Sequence, residues 1–95
     1  MFIISLTYIK LLEDVDQYLT DHVDYLKEQY RLGNFLASGR KVPRTGGLIL
    51  ARGASREEIE TIITLDPFHA HGVAEYEITE FSPTMTIEEL AFLRE

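Results

Sequence analysis

Histidine is the side chain best suited to move protons near neutral pH, and this chain of 95 residues has three of them, His22, His69 and His71. Two lie in the stretch LDPFHAHGVAEY, Leu65–Tyr76, beside Asp66. A histidine whose one ring nitrogen is held by a carboxylate can offer the other to a substrate as general acid or base. Ser38, Arg40, Lys41 and Arg44 add a hydroxyl and three cations within a short span, enough to bind a small anion. His69 and His71 bracket Ala70, and that spacing offers two metal ligands. With no strong third ligand motif and no cysteine, the reading is a solvated loop pair, and no metal or cofactor is expected.

The elements that must position these groups follow from periodicity. Phe2, Ile4, Leu6 and Tyr8 alternate with Ile3, Ser5, Thr7 and Ile9, which predicts a first strand over Phe2–Ile9. From about Val15 to Leu32 the period changes, with Val15, Leu19, His22, Leu26 and Tyr30 at helical steps and Gly33 as a stop. One long amphipathic helix is predicted there. Asn34–Val42 and Gly47–Gly53 read as a hairpin of strands joined by the PRTGG loop. Ser55 and Glu58 form a capping box at the start of a second helix, whose buried face carries Ile59, Ile62 and Ile63 and which Pro67 ends. Val73–Phe81 alternates as a fourth strand, and Thr86–Arg94 forms a short C-terminal helix after Pro83.

The order is βαββαβ, which predicts an α+β ferredoxin-like sandwich, a four-stranded antiparallel sheet with two helices on one face. One such domain takes up residues 1–95, with its core at about residues 2–83. The third strand is apolar on both sides, Leu48 and Leu50 on one and Ile49 and Ala51 on the other, so the second sheet face needs cover. A second copy of the chain is the expected cover, which predicts a homodimer. The C-terminal Ile87, Leu90 and Leu93 are expected to pack on that partner.

His22 falls on the apolar stripe of the first helix and Asp66 on that of the second, seven residues after Ile59, so both point inward. A buried carboxylate without a partner is costly. If both helices cover one sheet face, the two groups satisfy each other by meeting. Each also has a plainer reading: His22 as a core histidine bonded to a carbonyl, Asp66 as a turn former capping the amides that follow it. Ser38 and Arg40 share a strand face with Leu36 by alternation, while Lys41 points the other way; they are either a charged edge or substrate-binding groups.

Composition narrows the partners. A net charge of −7 argues against nucleic acid, because neutralising phosphates needs a basic stripe. The apolar run at the N-terminus is too short for a membrane span and lacks a signal-peptide pattern, so a cytoplasmic protein with no membrane partner is expected.

His22, FLASG at Phe35–Gly39, GG at Gly46–Gly47, DPF at Asp66–Phe68, Gly72 and AEYEITEF together resemble the YciI-like (YCII-related) family, over Phe2 to about Pro83. The resemblance implies a ferredoxin-like fold, a dimer of the dimeric α+β barrel type, and a site in which His22, Asp66 and Ser38 are the catalytic residues. Many members carry an arginine shortly before the histidine, where this chain has Leu19 and Thr20, and a proline after Ser-Gly, where it has Arg40. Arg40, Lys41 and Phe68 are therefore the expected substrate-binding residues. The implied activity is proton transfer on a cyclic or enolisable small molecule, of isomerase, lyase or dehydrochlorinase type. A domain that binds a metabolite without changing it is the alternative, and a purely structural His22–Asp66 pair stitching two helices is a third reading.

Overall fold

The alternation of the first strand resolves into two sheet faces in the computed structural model, which describes residues 1–53 and 55–95. Strand β1 is Phe2–Tyr8, β2 Phe35–Arg40, β3 Gly46–Ala51 and β4 Ala74–Glu80. They form an antiparallel sheet in the order β2-β3-β1-β4. Phe2, Ile4 and Leu6 of β1 are buried on one face, where they meet the helices; Ile3 and Thr7 point to the other. This is the ferredoxin-like α+β fold expected from the element order.

All the α-helices cover the same face. Val15 of helix α1 (Leu12–Asp16), Ile59 and Ile63 of α3 (Arg56–Thr64) and Phe68 of α4 (Pro67–Ala70) join the β1 side chains in one core. Leu19, Tyr25 and Leu26 of α2 (Leu19–Arg31) pack against it. Ile4 and Ile59 are fully buried, and each such side chain stabilises the fold by about 1.5–3 kcal/mol. Ser55 caps α3 by accepting the Glu58 amide hydrogen at 3.2 Å.

Three expectations need correction. The long first helix is two helices, broken at Gln17 and Tyr18, where Tyr18 leaves helical geometry at φ −108°, ψ 5° and stacks on His71. No glycine or proline marks this break. Pro67 does not follow directly on α3, which ends at Thr64; it opens α4 at the first helical position, where its missing amide hydrogen costs nothing. The C-terminal segment forms a 3₁₀ helix at Glu88–Leu93, shorter than expected, with Ile87 and Leu90 exposed.

The β2–β3 hairpin sits tightly against the end of β1. Tyr8 donates its amide hydrogen to the Thr45 carbonyl at 2.9 Å, and Gly46 pairs with Thr7. A Cβ on Gly46 would lie 1.8 Å from the Leu6 carbonyl oxygen, so only glycine fits there. That close approach brings the hairpin's cations to the end of the sheet nearest His22.

Candidate active site

Asp66 is the fixed point of the site. It lies between α3 and α4 with an extended backbone, φ −72° and ψ 125°, as a residue before proline must. Its side chain is fully buried and accepts three hydrogen bonds. Oδ1 takes the Phe68 amide hydrogen at 3.0 Å and faces Nδ1 of His22 at 2.8 Å. Oδ2 takes the Tyr76 hydroxyl hydrogen at 2.6 Å. The turn-forming reading and the partner reading of Asp66 are thus both fulfilled by one carboxylate. Several donors on a buried carboxylate are what make its desolvation tolerable.

The His22 ring is fixed in two ways. Its edge is held by Asp66, and one face stacks on the Phe68 ring at a centroid distance of 4.0 Å and an interplanar angle of 6°. An ionised Asp66 can only accept, so Nδ1 carries the hydrogen and Nε2 is left as the basic nitrogen of the neutral ring. Among the described residues nothing engages Nε2, and His22 lines a cavity of about 210 Å³. The cavity opens between α2 and the β1–β3 end of the sheet. Leu6, Leu19, Leu26, Ile49 and Phe68 give it apolar walls, and Ser38, Arg40 and Arg44 give it a polar side.

Two tyrosines adjoin the buried carboxylate. Burial, and after it the negative charge of Asp66, push the hydroxyls of both Tyr76 and Tyr25 well above the ordinary value; for Tyr76 the hydrogen bond to Asp66 adds to this. Tyr76 therefore remains a donor to Asp66 throughout the physiological range. Tyr25 spends its hydrogen on the Ile62 carbonyl at 2.9 Å, tying α2 to α3 beside the pair.

The expected substrate-binding residues divide. Ser38 and Arg40 line the cavity, but not by the simple alternation read from the sequence. An irregularity between Phe35 and Ala37 shifts the register, so Ser38 pairs with Ile49 and Arg40 with Gly47 on the helix-covered face that also holds Phe35. The Ser38 hydroxyl meets Tyr30 Oη at 2.5 Å. Lys41 is not brought to the cavity: its ammonium group donates to Thr7 Oγ1 at 3.1 Å, on the opposite sheet face. Phe68 is present as the stacking partner of His22. Arg44 and Tyr76 join the site beyond the expected catalytic and substrate-binding residues: Tyr76 sits at an inward position of the β4 alternation, and Arg44 belongs to the cation cluster.

His69 and His71 pack separately. His71 stacks on Tyr18 at 3.9 Å, and His69 meets the Tyr76 ring edge-on at 5.5 Å. Among the described residues no group of three or more histidine, cysteine or acidic side chains is arranged to hold a metal. Among the described residues no helix is long and apolar enough to cross a membrane.

A model of the YCII-related domain matches residues 1–82. The chain belongs to the YCII-related family. No significant match to this YCII-related chain is found among curated proteins. Among solved structures it resembles a 5-chloro-2-hydroxyhydroquinone dehydrochlorinase from Burkholderia phenoliruptrix AC1100, in complex with 2,5-dihydroxybenzoquinone. The TM-score is 0.72 over 86% of this chain and 94% of that one, at 15% identity. At that identity the likeness establishes the shared fold of the YCII-related chain and nothing of its chemistry.

Proposed function

We propose that the protein is a small-molecule enzyme that moves a proton on a cyclic or enolisable substrate, with His22 as general acid and base. The observation that carries this reading is the His22 ring itself, clamped by Asp66 and Phe68 with Nε2 left to an apolar cavity. Nε2 takes a proton from carbon beside a carbonyl, and the C–H electron pair moves onto the carbonyl oxygen as an enolate. Asp66 stabilises the imidazolium that results. Return of the proton to another atom completes an isomerisation; loss of a leaving group such as chloride from the enolate completes an elimination. Ser38 hydrogen-bonds the substrate and Arg40 steadies the enolate charge. Family membership and likeness to a dehydrochlorinase solved with a quinone support a small-molecule enzyme.

An open cavity beside the pair is what either functional reading requires and what a purely structural pair does not. Catalysis and mere binding separate by isotope exchange. Cyclic diketones and hydroxyquinols incubated with the protein in D2O should gain deuterium, followed by NMR, and His22→Ala should slow this by about 10²–10⁴-fold while remaining folded. Exchange at the same rate in His22→Ala rejects the mechanism. Binding without exchange in the parent protein favours the non-catalytic module.

The functional unit is further proposed to be a homodimer that pairs through the open sheet face. Ile3 and Leu48 are 36% and 46% exposed there, with Leu50 half-buried beside them. Together with Ala37 they floor a shallow apolar depression.

A further inference from the structure

We propose that the cavity takes a single-ring monocarboxylate and that Arg44 is the residue that selects its charge, held in position by Asp16. This rests on the cavity beside His22 being the ligand site proposed above, and it concerns what enters that site rather than what happens there. Of the three clustered cations, Lys41 goes to the opposite sheet face, whereas Arg40 and Arg44 both line the cavity. Among the described residues no carboxylate lines it, so a ligand's negative charge meets two guanidinium groups and no repulsion at the wall.

Arg44 is not a loose surface side chain. Its Nη2 donates to Asp16 Oδ1 at 2.6 Å, its guanidinium carbon lies 5.8 Å from the centre of the Tyr8 ring, and three-quarters of its side chain is buried. Asp16 engages a single nitrogen and the Tyr8 hydroxyl also hydrogen-bonds the guanidinium, which still leaves donors of a planar five-donor fork for a carboxylate. Bidentate recognition of that kind is where arginine exceeds lysine. Asp16 lies at the end of α1, just where the first helix breaks, so the break itself is what sets this carboxylate beside the hairpin.

Charge and size set the ligand class. Asp16 is held below the usual carboxylate range, first by its hydrogen bond to Arg44 and also by the charge of Arg40, which places all three groups in one electrostatic neighbourhood. Two cations and one anion leave a single positive charge, matched by a monoanion. A volume of about 210 Å³ exceeds the roughly 150 Å³ of an apolar cavity that binds benzene, leaving room for one ring and a carboxylate. Leu6, Leu26, Ile49 and Phe68 provide the apolar surface against which such a ring would lie.

The test is binding, not turnover, using benzoate, its neutral counterpart benzamide, and the dianion phenyl phosphate, followed by NMR titration of the amides and the His22 ring. Benzoate should bind at the cavity at least about tenfold more tightly than either of the others. Arg44→Gln should weaken benzoate by about tenfold or more and leave benzamide unchanged, with Arg44→Lys in between. Asp16→Asn should also weaken benzoate, since the fork loses its anchor. Equal binding of benzoate and benzamide, no loss in folded Arg44→Gln, or tighter benzoate binding in Asp16→Asn would each overturn the proposal. Selective benzoate binding without any proton exchange leaves it standing and rejects the enzymatic reading; exchange that depends on His22, with no preference for benzoate, does the reverse.

Discussion

Tyr76 holds Oδ2 of Asp66 at 2.6 Å while His22 occupies Oδ1 of the same buried carboxylate, so the orientation of the histidine depends on a strand residue that it does not touch through any hydrogen bond. Tyr76→Phe removes one donor from a buried carboxylate without leaving a cavity. Chemical denaturation should show a loss of about 1.5–3 kcal/mol, the range for a hydrogen bond to a charged group. Deuterium exchange into substrate should fall in parallel, because Asp66 would be freer to turn from Nδ1. Unchanged exchange at reduced stability would restrict Tyr76 to a structural part.

Alkaline pH should unfold the protein through the same neighbourhood. Tyr25 and Tyr76 both titrate above the ordinary 10.0 when folded, because burial and the Asp66 charge oppose ionisation. Above about pH 10 the unfolded chain therefore releases these protons and the folded one keeps them. The unfolded state then binds fewer protons, so their contribution to stability is full below pH 10 and declines as pH rises beyond it. In Tyr25→Phe the slope of unfolding free energy against pH between 10 and 11 should be less steep than in the parent. An identical slope would show that Tyr25 is as free to ionise in the folded protein as in the unfolded one.

Gly46 is the tightest backbone approach in the hairpin. Gly46→Ala should destabilise the fold by at least about 2 kcal/mol, because the added carbon meets the Leu6 carbonyl and not a flexible side chain. Gly39→Ala is the control, since an added Cβ there meets nothing within 4 Å; a change within about 0.5 kcal/mol is expected. Thermal unfolding of the two variants side by side distinguishes a steric requirement from a general sensitivity of the hairpin.

The open sheet face offers a direct check on assembly. Sedimentation of the parent protein at micromolar concentration should give a dimer. Leu48→Lys should give a folded monomer, because a two-fold pairing of sheets would bring the new charge into an apolar interface on both copies. A dimer of unchanged stability in Leu48→Lys would move the interface elsewhere.

Much of this arrangement was legible in the linear chain because hydrophobic period reports which face a residue takes. Alternation in β1 and β4, the helical steps through Leu19, His22 and Leu26, and the serine cap at Ser55 determined the elements, and the element order determined the ferredoxin-like sheet. The same periodicity turned His22 and Asp66 inward, and the cost of burying an unpaired carboxylate required a partner for Asp66. Period does not report depth, register or the identity of a partner across the fold. The irregularity between Phe35 and Ala37, which sends Ser38 and Arg40 to the cavity side, arises from pairing with β3 and leaves no mark in composition. Arg44 finds Asp16 across 28 positions only because the first helix breaks at Gln17 and the hairpin closes over the end of β1 at Gly46. Tyr76 reaches Asp66 because β4 lies beside β1 at the edge of the sheet, a neighbour relation made by hydrogen bonding between strands far apart in the chain. Hydrophobic period sets the faces and the need for pairing; the partners arise only in the folded chain, because strand register and loop closure are set by contacts between distant segments.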